Sequence, residues 1–251
     1  LLFSDNGGNM YNTVEGTTAS DNNLYGTLLY ASDDNLIANC SLASSGDDGL
    51  LVSYSDRNTF PNLTISDSGG SGAALQGSSG TSFVMSTVNG SAGPDVNLTA
   101  GSSGVLMVNT TIGNNSNPDA MLDGDSHLTL LNCTFDDQGL AFGDDLSNVT
   151  VQWYLHVNVT DAYGYGVAGA AVQVTDNASV VVFTGQTDLL GWARWIPCTE
   201  YVEDAMGNAS VNTPHNVTAD HIAHDSGYAQ PEPFVGGTTV VYITLPADTT
   251  P

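Results

Sequence analysis

The sequence has no lysine, and arginine occurs only twice, at Arg57 and Arg194. Against these two cations stand 27 acidic residues, which give a formal net charge of −25 at pH 7. A nucleic-acid-binding protein needs a basic patch that releases counterions from phosphates, and attachment to anionic lipid also needs positive charge. The composition therefore excludes nucleic acid as a partner and argues against attachment to an anionic membrane surface.

Long hydrophobic runs are also missing, since none approaches the roughly 20 residues of a membrane-spanning helix. Strong helix formers are scarce, whereas glycine, serine, threonine, asparagine, aspartate and valine dominate. Hydrophobic residues still make up 41% of the chain, which is enough for a packed core. We therefore expect an all-β protein without a membrane span. The start at Leu1 rather than methionine favours a processed fragment.

Twelve of the 22 asparagines begin an Asn-X-Ser/Thr sequon, where chance would give about four. The twelve are Asn39, Asn62, Asn89, Asn97, Asn109, Asn114, Asn132, Asn148, Asn158, Asn177, Asn208 and Asn216. Stacked asparagines in a β-solenoid offer another reason for such a pattern. That reason does not cover the last four, which lie beyond the repetitive part of the sequence. We therefore predict N-linked glycans and an extracellular, cell-surface location.

A degenerate repeat runs through the first 150 residues: an apolar strand, an asparagine centre, then a turn rich in glycine, aspartate and serine. It is centred on Asn39, Asn62, Asn89, Asn109 and Asn132, so its period lies in the low twenties. This period resembles the coil of a right-handed parallel β-helix, in which coils stack about 4.8 Å apart around a continuous core. We assign residues 1–148 to such a helix, with a β-sandwich as the alternative.

The three cysteines leave one without a partner in any pairing within the chain. Cys40 and Cys133 both follow a sequon asparagine and lie four coils apart, or roughly 19 Å at the strand spacing. A disulfide needs Cα atoms within about 7 Å, so these two cannot pair. Cys133 could instead reach Cys198, which would leave Cys40 for a bond between chains. Buried free thiols are the alternative.

From residue 149 onward the strands lengthen and alternate apolar with polar residues, as in VTVQWYLHVNVTD. Asp161 precedes Gly166-Val167 and Gly169-Ala170-Ala171-Val172, and Thr187-Asp188 precedes Gly191-Trp192-Ala193. This arrangement resembles the carboxypeptidase-regulatory-like, transthyretin-type β-sandwich over about residues 150–246. The resemblance implies a small β-sandwich at 149–251 that acts as a spacer or adhesion module. We expect a long loop at 203–237, where glycine, proline and polar residues cluster.

The combination of β-helix repeats, a sandwich, dense sequons and acidic composition is similar to large exported surface proteins of archaea, methanogens especially. Among the assemblies of such proteins are sheaths and surface layers. The similarity therefore implies a structural role outside the cell.

No catalytic motif survives inspection of the sequence. Pectate-lyase-type β-helix enzymes use an arginine or lysine base, and polygalacturonases carry Gly-His-Gly and Arg-X-Lys motifs; lysine and both motifs are absent. Four adjacent aspartate pairs could in principle supply a glycosidase acid and base, but neighbouring side chains diverge, so we interpret them as turn residues. These pairs are Asp33-Asp34, Asp47-Asp48, Asp136-Asp137 and Asp144-Asp145. We therefore predict that the chain is not an enzyme.

Metal and cofactor sites are equally hard to assign. His221 and His224 have ligand-like spacing but no cysteine or glutamate partner nearby in the sequence. Calcium suits oxygen-rich turns, yet no ligand set can be named for it. We therefore expect no cofactor.

The sequence thus predicts a structural subunit of a glycosylated assembly, a homopolymer in the form of a sheath, surface layer or filament. An unpaired β-edge at the first coil would be a template for another chain, and head-to-tail contact generates rings or filaments. Leu1, Leu2 and Phe3, with the edge near Tyr30 and Leu36, are the predicted subunit contact.

The alternative is a carbohydrate-binding or polysaccharide-processing β-helix protein that uses the flank of the helix as a sugar groove. Aromatic side chains could then stack on sugars, although aromatic residues on strands usually belong to the core. These are Trp153, Trp192 and Trp195 with Tyr163 and Tyr165.

Overall fold

The computed structural model describes residues 2–4, 11–113, 116–207, 210–229 and 237–246. It divides into two compact units, Leu1–Thr150 with Glu203–Ala209, and Val151–Val202 with Ser210–Pro251. The described part consists of strands and turns, and its one helical element is a 3₁₀ turn at Asp137–Gly139. The described residues include no helix long and apolar enough to cross a membrane. The predicted all-β fold class is confirmed.

The first unit is a parallel β-solenoid whose coils contribute strands to three sheets. The first sheet runs in the order β1 (Leu2–Ser4), β4 (Thr27–Tyr30), β7 (Leu50–Ser53), β10 (Ala73–Gln76), β13 (Val96–Thr99), β16 (Ala120–Leu122) and β18 (Leu140–Phe142). Within this unit the second sheet runs in the order β2 (Thr13–Glu15), β5 (Leu36–Ala38), β8 (Thr59–Pro61), β11 (Ser82–Val84), β14 (Val105–Val108) and β17 (His127–Leu131). The third runs β3 (Thr18–Ser20), β6 (Ser41–Ala43), β9 (Thr64–Ser66), β12 (Thr87–Asn89) and β15 (Thr111–Ile112).

The coils stack in register, so equivalent residues lie above one another. Leu50 pairs with Ala73 and Ala73 with Val96, so one coil of the chain separates the members of each pair. Inward side chains are buried, and the rings of Phe60 and Phe83 from neighbouring coils meet at 4.8 Å between centroids. The alternation of inward apolar and outward polar residues therefore builds the continuous core that the repeat predicts.

The centre of the sequence repeat needs one correction. Asn39, Asn62, Asn109 and Asn132 occupy the same corner of their coils, each with φ between 51° and 54°. In the intervening coil this corner is occupied by Met85, at φ 51°, and not by Asn89, which ends β12 opposite Ser66. With Met85 in this place the corner recurs at nearly equal spacing, once in every coil. The sequence misled because asparagine is favoured at left-handed corners but is not required there.

The second unit contains two sheets. The first is formed by β19 (Asn148–Asp161), β22 (Trp192–Asp204), β23 (Ser210–Val211) and β26 (Thr239–Leu245). The second runs in the order β21 (Val181–Gln186), β20 (Ala171–Thr175), β24 (Asn216–His221) and β25 (His224–Ala229). Alternate valines of both sheets, such as Val157 and Val172, are buried and form the core of this unit.

The long loop expected at 203–237 is wrong in part. β24 and β25 form an antiparallel hairpin inside that range. Val217 and Ala219 are buried and alternate with polar residues, a strand signal that the surrounding glycines and prolines obscured.

Candidate functional site

The corner asparagines of the solenoid bond to one another. The Nδ2 of Asn62 donates to Oδ1 of Asn39 at 3.0 Å, and the Nδ2 of Asn132 donates to Oδ1 of Asn109 at 2.7 Å. Met85, which is 58% exposed, interrupts this row of side chains. The amide nitrogen that would carry a glycan thus takes part in bonding between coils at Asn62 and Asn132. The left-handed corner supplies a structural reason for asparagine at all four positions.

The other predicted glycosylation sites lie in varied surroundings. Asn89, Asn97, Asn148 and Asn216 are partly buried on strands. Asn158 is only 8% exposed, and the Nδ2 of the exposed Asn177 donates to the carbonyl of Val211 at 2.6 Å. Asn114 and Asn208 lie outside the described residues. Glycosylation of the twelve sequons stays a prediction.

The cysteine pairing needs correction, because Cys40, Cys133 and Cys198 are all buried free thiols. The Sγ of Cys133 donates to the carbonyl oxygen of Met107 at 3.2 Å, and burial raises the pKa of this thiol to about 11. Burial likewise raises the pKa of Cys198 to about 12. Cys40 is 3% exposed, so a second chain has no access to its sulfur for the predicted intermolecular bond.

Hydroxyl residues occupy the same position as Cys133 in the two preceding coils. The Ser86 hydroxyl donates to the Val84 carbonyl at 3.2 Å, and the Thr110 hydroxyl donates to the Val108 carbonyl at 3.1 Å. Cys133 therefore takes the place of a serine or threonine in a row of inward-facing donors. The sequence contained this information. When the coils are aligned, the residue directly after the corner is a serine or threonine in the two coils before Cys133.

The predicted subunit contact is also placed differently. Leu2 and Phe3 belong to β1, which pairs with β4, and their side chains and Leu1 lie outside the described residues. Tyr30 and Leu36 do not lie on a sheet edge, because β4 and β5 each have a neighbouring strand on both sides. Among the described residues, β1, β2 and β3 each have a neighbouring strand on one side only at this end of the solenoid.

Each of the four aspartate pairs has a carboxylate that accepts hydrogen bonds, either within its own turn or from the next coil. Asp34 accepts two bonds from Arg57, each 2.8 Å long. Asp48, Asp136 and Asp144 each accept at least one backbone N–H. This bonding agrees with the interpretation of the pairs as turn residues.

A cleft of about 850 Å³ opens on the last coils of the solenoid. It is lined by residues 111–113, 116–119, 134–136 and 138–141, where the 3₁₀ turn replaces the next strand of the third sheet. Asp119 is 4% exposed, and its Oδ2 accepts from the backbone N–H of Asp136 at 2.6 Å. A Cβ at Gly113 would collide with the carboxylate of Asp119, so only glycine lets the chain pass so close to this group.

The electrostatics of the cleft raise the pKa of Asp119 above its ordinary value. Burial raises the pKa of Asp119 most strongly, and the charges of Asp95 and Asp136 raise it further, while the bond from the Asp136 backbone opposes them. A carboxyl group whose pKa is raised can donate a proton to a bound group. Asp119 and Asp136 come from neighbouring coils, so no local motif in the sequence marks them.

A second feature lies on the outward face of β19, β22 and β26. We name it the β22 platform, and it consists of Tyr154, His156, Trp192, Arg194, Trp195 and Tyr242. The ring of Trp195 meets those of Tyr154 and His156 edge to face, at 5.2 and 4.7 Å between centroids. Trp192 meets Tyr242 at 6.3 Å, and the Arg194 guanidinium lies 4.6 Å from the Trp192 ring centre.

Trp153, in contrast, points inward. It is 8% exposed, and its Nε1 donates to Oε2 of Glu200 at 2.5 Å. Of the three tryptophans, Trp195 is the mostly exposed one, whereas Trp192 is partly buried with the Arg194 guanidinium over its ring.

Histidine provides no further site in the described part of the chain. The Nδ1 of His221 accepts the backbone N–H of Ala223 at 3.3 Å, and the two rings of the His221–His224 pair lie 5.3 Å apart. No group of three or more histidine, cysteine, aspartate or glutamate side chains among the described residues is placed to hold a metal.

Comparison with protein families gives a match to the right handed beta helix region over residues 2–187. The chain belongs to the right-handed β-helix family. The match extends past the solenoid as far as β21 in the second unit. No curated protein matches the chain.

Two solved structures share features with this right-handed β-helix chain at low identity. The pectate lyase Pel9A is 14% identical with a TM-score of 0.44, over 64% of this chain and 50% of the lyase. The TIE protein of Bacillus anthracis is 15% identical with a TM-score of 0.27, over 39% of this chain and 18% of that protein. The chain thus spans half or less of these two proteins.

The prediction that the chain is not an enzyme is wrong as drawn. A pectate lyase is among the similar structures, although it is distant, and β-helices occur in enzymes and non-enzymes alike. The prediction relied on missing local motifs. In a solenoid, however, side chains one full coil apart in the sequence become neighbours, so a site can form without any such motif.

Proposed function

We propose that this right-handed β-helix protein is a structural subunit of an exported cell-surface assembly, in which the solenoid of one copy stacks on another. The observation that carries the proposal is the exposure of apolar side chains on the first described coil. Val14 and Ala19 are partly exposed, whereas the equivalent Ile37 and Leu42 of the next coil are 1% and 0% exposed. Covering this apolar end with another β-coil would remove it from water.

The strand edges at the same end support this stacking. Among the described residues β2 pairs only with β5, and β3 only with β6. Each therefore presents a row of backbone donors and acceptors that a second chain can continue. A contact of this kind between unlike ends builds filaments or rings, and a contact between two first coils builds a closed dimer.

The net charge of −25 sets the conditions for assembly. Close packing of such subunits costs Coulomb energy, which salt screens within about 10 Å at 0.1 M. We therefore expect assembly to weaken at very low salt, and to weaken on chelation where divalent cations bridge carboxylates.

The test is sedimentation and negative-stain electron microscopy of the full chain over a range of protein and salt concentrations, with and without chelator. Regular filaments, rings or dimers support the proposal. Val14→Asp places a charge at the first described coil and should abolish them, whereas Val181→Asp, at a residue that is 51% exposed in the second unit, should not. A chain that stays monomeric under every condition contradicts the proposal.

A second candidate, a polysaccharide-processing protein, is favoured by the cleft around Asp119. The lining of this cleft includes carboxylates and no arginine. It therefore suits hydrolysis, in which a carboxylic acid donates a proton to the leaving group, better than elimination, which needs a basic residue. A reducing-sugar assay on acidic and neutral polysaccharides tests it. Activity that is lost in Asp119→Asn and kept in Asp145→Asn supports this candidate, and the lack of activity on every polymer contradicts it.

A further inference from the structure

The β22 platform depends on an unusual backbone at Trp195. In β22 the outward Trp192 and Arg194 flank the buried Ala193, so simple alternation would turn Trp195 inward. Instead Trp195 has φ 61°, and its backbone N–H donates to Nδ1 of His156 at 3.2 Å rather than to a strand. Trp195 is thus an extra residue in the alternation of β22 and forms a β-bulge. Its side chain therefore points outward and is 64% exposed.

This conformation is uncommon for a bulky residue inside a strand. A bulky residue at positive φ is strained, and an exposed tryptophan forgoes burial. Strain of this kind concentrates at ligand-binding positions. Because Trp195 touches Tyr154 and His156 edge to face and remains mostly exposed, part of its flat surface is open to solvent.

The second ring pair extends the same surface. Tyr242 is 70% exposed and lies opposite Asn158 in the strand register. Asn158 is on the outward face of β19 yet only 8% exposed, which fits the approach of Trp192 to Tyr242 above this strand. The platform therefore presents rings at two places on one sheet face.

Arg194 adds one positive charge beside the rings. Within the described residues it forms no ion pair, whereas Arg57 is held by both Asp33 and Asp34. Asp188, whose pKa the Arg194 charge helps to lower, already accepts the backbone N–H groups of Leu190 and Trp192. Arg194 is thus a guanidinium with donors available to a carboxylate of another molecule.

The geometry points to the β22 platform as a binding surface for an acidic polysaccharide, whose sugar rings stack on Trp195 and Tyr242 and whose carboxylate pairs with Arg194. The flat C–H face of a sugar ring matches an exposed indole face, and a uronic acid also supplies the anion. A neutral sugar would leave Arg194 without a partner, and an acidic peptide would make little use of the rings. This inference is independent of the proposed assembly through the first coil.

The experiment is calorimetric titration of the full chain with polygalacturonate and with the same polymer fully methyl-esterified. Salt of 0.15 M screens the repulsion between the acidic protein and the polymer beyond about 8 Å. A chelator removes calcium bridges between carboxylates. We expect binding to polygalacturonate and weaker binding to the esterified polymer.

Two pairs of variants sharpen the test. Trp195→Asn should weaken binding about tenfold or more, because it removes the ring while asparagine tolerates the positive φ. Its control is Tyr163→Ala, at an aromatic residue that is 85% exposed outside the platform and should leave binding unchanged. Arg194→Gln should lower the affinity for polygalacturonate to that for the esterified polymer, whereas Arg57→Gln should not.

Several outcomes would overturn the inference. One is the absence of binding to polygalacturonate, and another is binding that Trp195→Asn leaves intact while its thermal unfolding is unchanged. A loss of self-association in Trp195→Asn, without polymer binding by the wild-type chain, would show instead that the platform is a contact between copies. Val14→Asp should still bind the polymer, so failure of the assembly proposal and failure of this one are distinguishable.

Discussion

Non-glycine residues with positive φ have different roles in the two units of this protein. In the solenoid, Asn39, Asn62 and Met85 repeat this conformation at one corner, and their backbone N–H groups donate to carbonyls of the next coil. The cost of each corner is offset by the stacking that it permits. In the second unit, Trp195 adopts the same φ inside a strand, and its N–H bonds only to a side chain.

The two arginines differ in the same way. Arg57 is fixed by carboxylates from the preceding coil, so its charge is used within the solenoid. Arg194 lies over Trp192 in the second unit, where its charge remains open to another molecule. The comparison teaches that the solenoid uses its polar groups to hold its own coils together, while the β22 platform keeps rings and charge available for recognition.

The strongest test of this difference is a ring removed from each unit. Phe83→Ala should lower the free energy of unfolding by about 3–5 kcal/mol, because the ring is fully buried against Phe60. Trp195→Asn should change it by less than about 1 kcal/mol in either direction, since the ring is mostly exposed and asparagine tolerates the positive φ. Urea denaturation measures both, and equal losses would refute the view that Trp195 serves recognition rather than stability.

Asp119→Asn should raise the free energy of unfolding at neutral pH. The gain should be smaller than the loss caused by Phe83→Ala, because the asparagine side chain has nearly the same volume and leaves no cavity. Burial raises the pKa of Asp119 in the folded state, so the folded chain holds this proton more tightly than the unfolded chain. Wild-type stability therefore falls as pH rises from the unfolded value of about 3.9 through the folded pKa. The amide oxygen of asparagine can still accept the Asp136 N–H.

Thermal unfolding between pH 3.5 and 8 checks this expectation. The difference between Asp119→Asn and wild type should grow with pH and approach zero near the acid end. Asp145→Asn is the control, since this carboxylate is exposed. A gain that is the same at every pH would exclude protonation of Asp119 as its cause.

Met85→Asn should stabilise the solenoid by about 0.5–1 kcal/mol. Asparagine tolerates the φ of 51° better than methionine, and its side chain would complete the row between Asn62 and Asn109. The change creates an Asn-Ser-Thr sequon, so the protein must come from a host without N-glycosylation. Met85→Ala, which keeps the strain and adds no amide, is the control, and an equal gain in both variants would count against the asparagine row.

The smallest expected effects distinguish the arginines. Arg57→Gln should destabilise the chain slightly, because its ion pairs with Asp33 and Asp34 are exposed, and the loss should shrink in high salt. Arg194→Gln should leave stability unchanged within about 0.5 kcal/mol. If Arg194→Gln destabilised the chain more than Arg57→Gln, this would contradict the view that Arg57 joins neighbouring coils while Arg194 serves to bind another molecule.

The repeat in the sequence predicted part of the fold, and the coil-by-coil alignment of equivalent residues in the structure shows which part. A period in the low twenties, with inward apolar side chains, was enough to predict a parallel β-helix over the first unit. The pattern misassigned Asn89 in place of Met85, because sequons and corners coincide in four coils and differ in one. The cleft could not be foreseen, since Asp119 and Asp136 meet only through coil stacking.

The sequence by itself therefore determined the all-β class, the repeat and the acidic surface, since hydrophobic period and composition are properties of the chain alone. Only the tertiary structure decided that Cys133 takes the place of a hydroxyl residue inside a coil, that Trp153 points inward and that Trp195 points outward. Those outcomes depend on which strand or coil lies beside each residue. A single bulge in β22 reverses the direction of a side chain that alternation alone would bury.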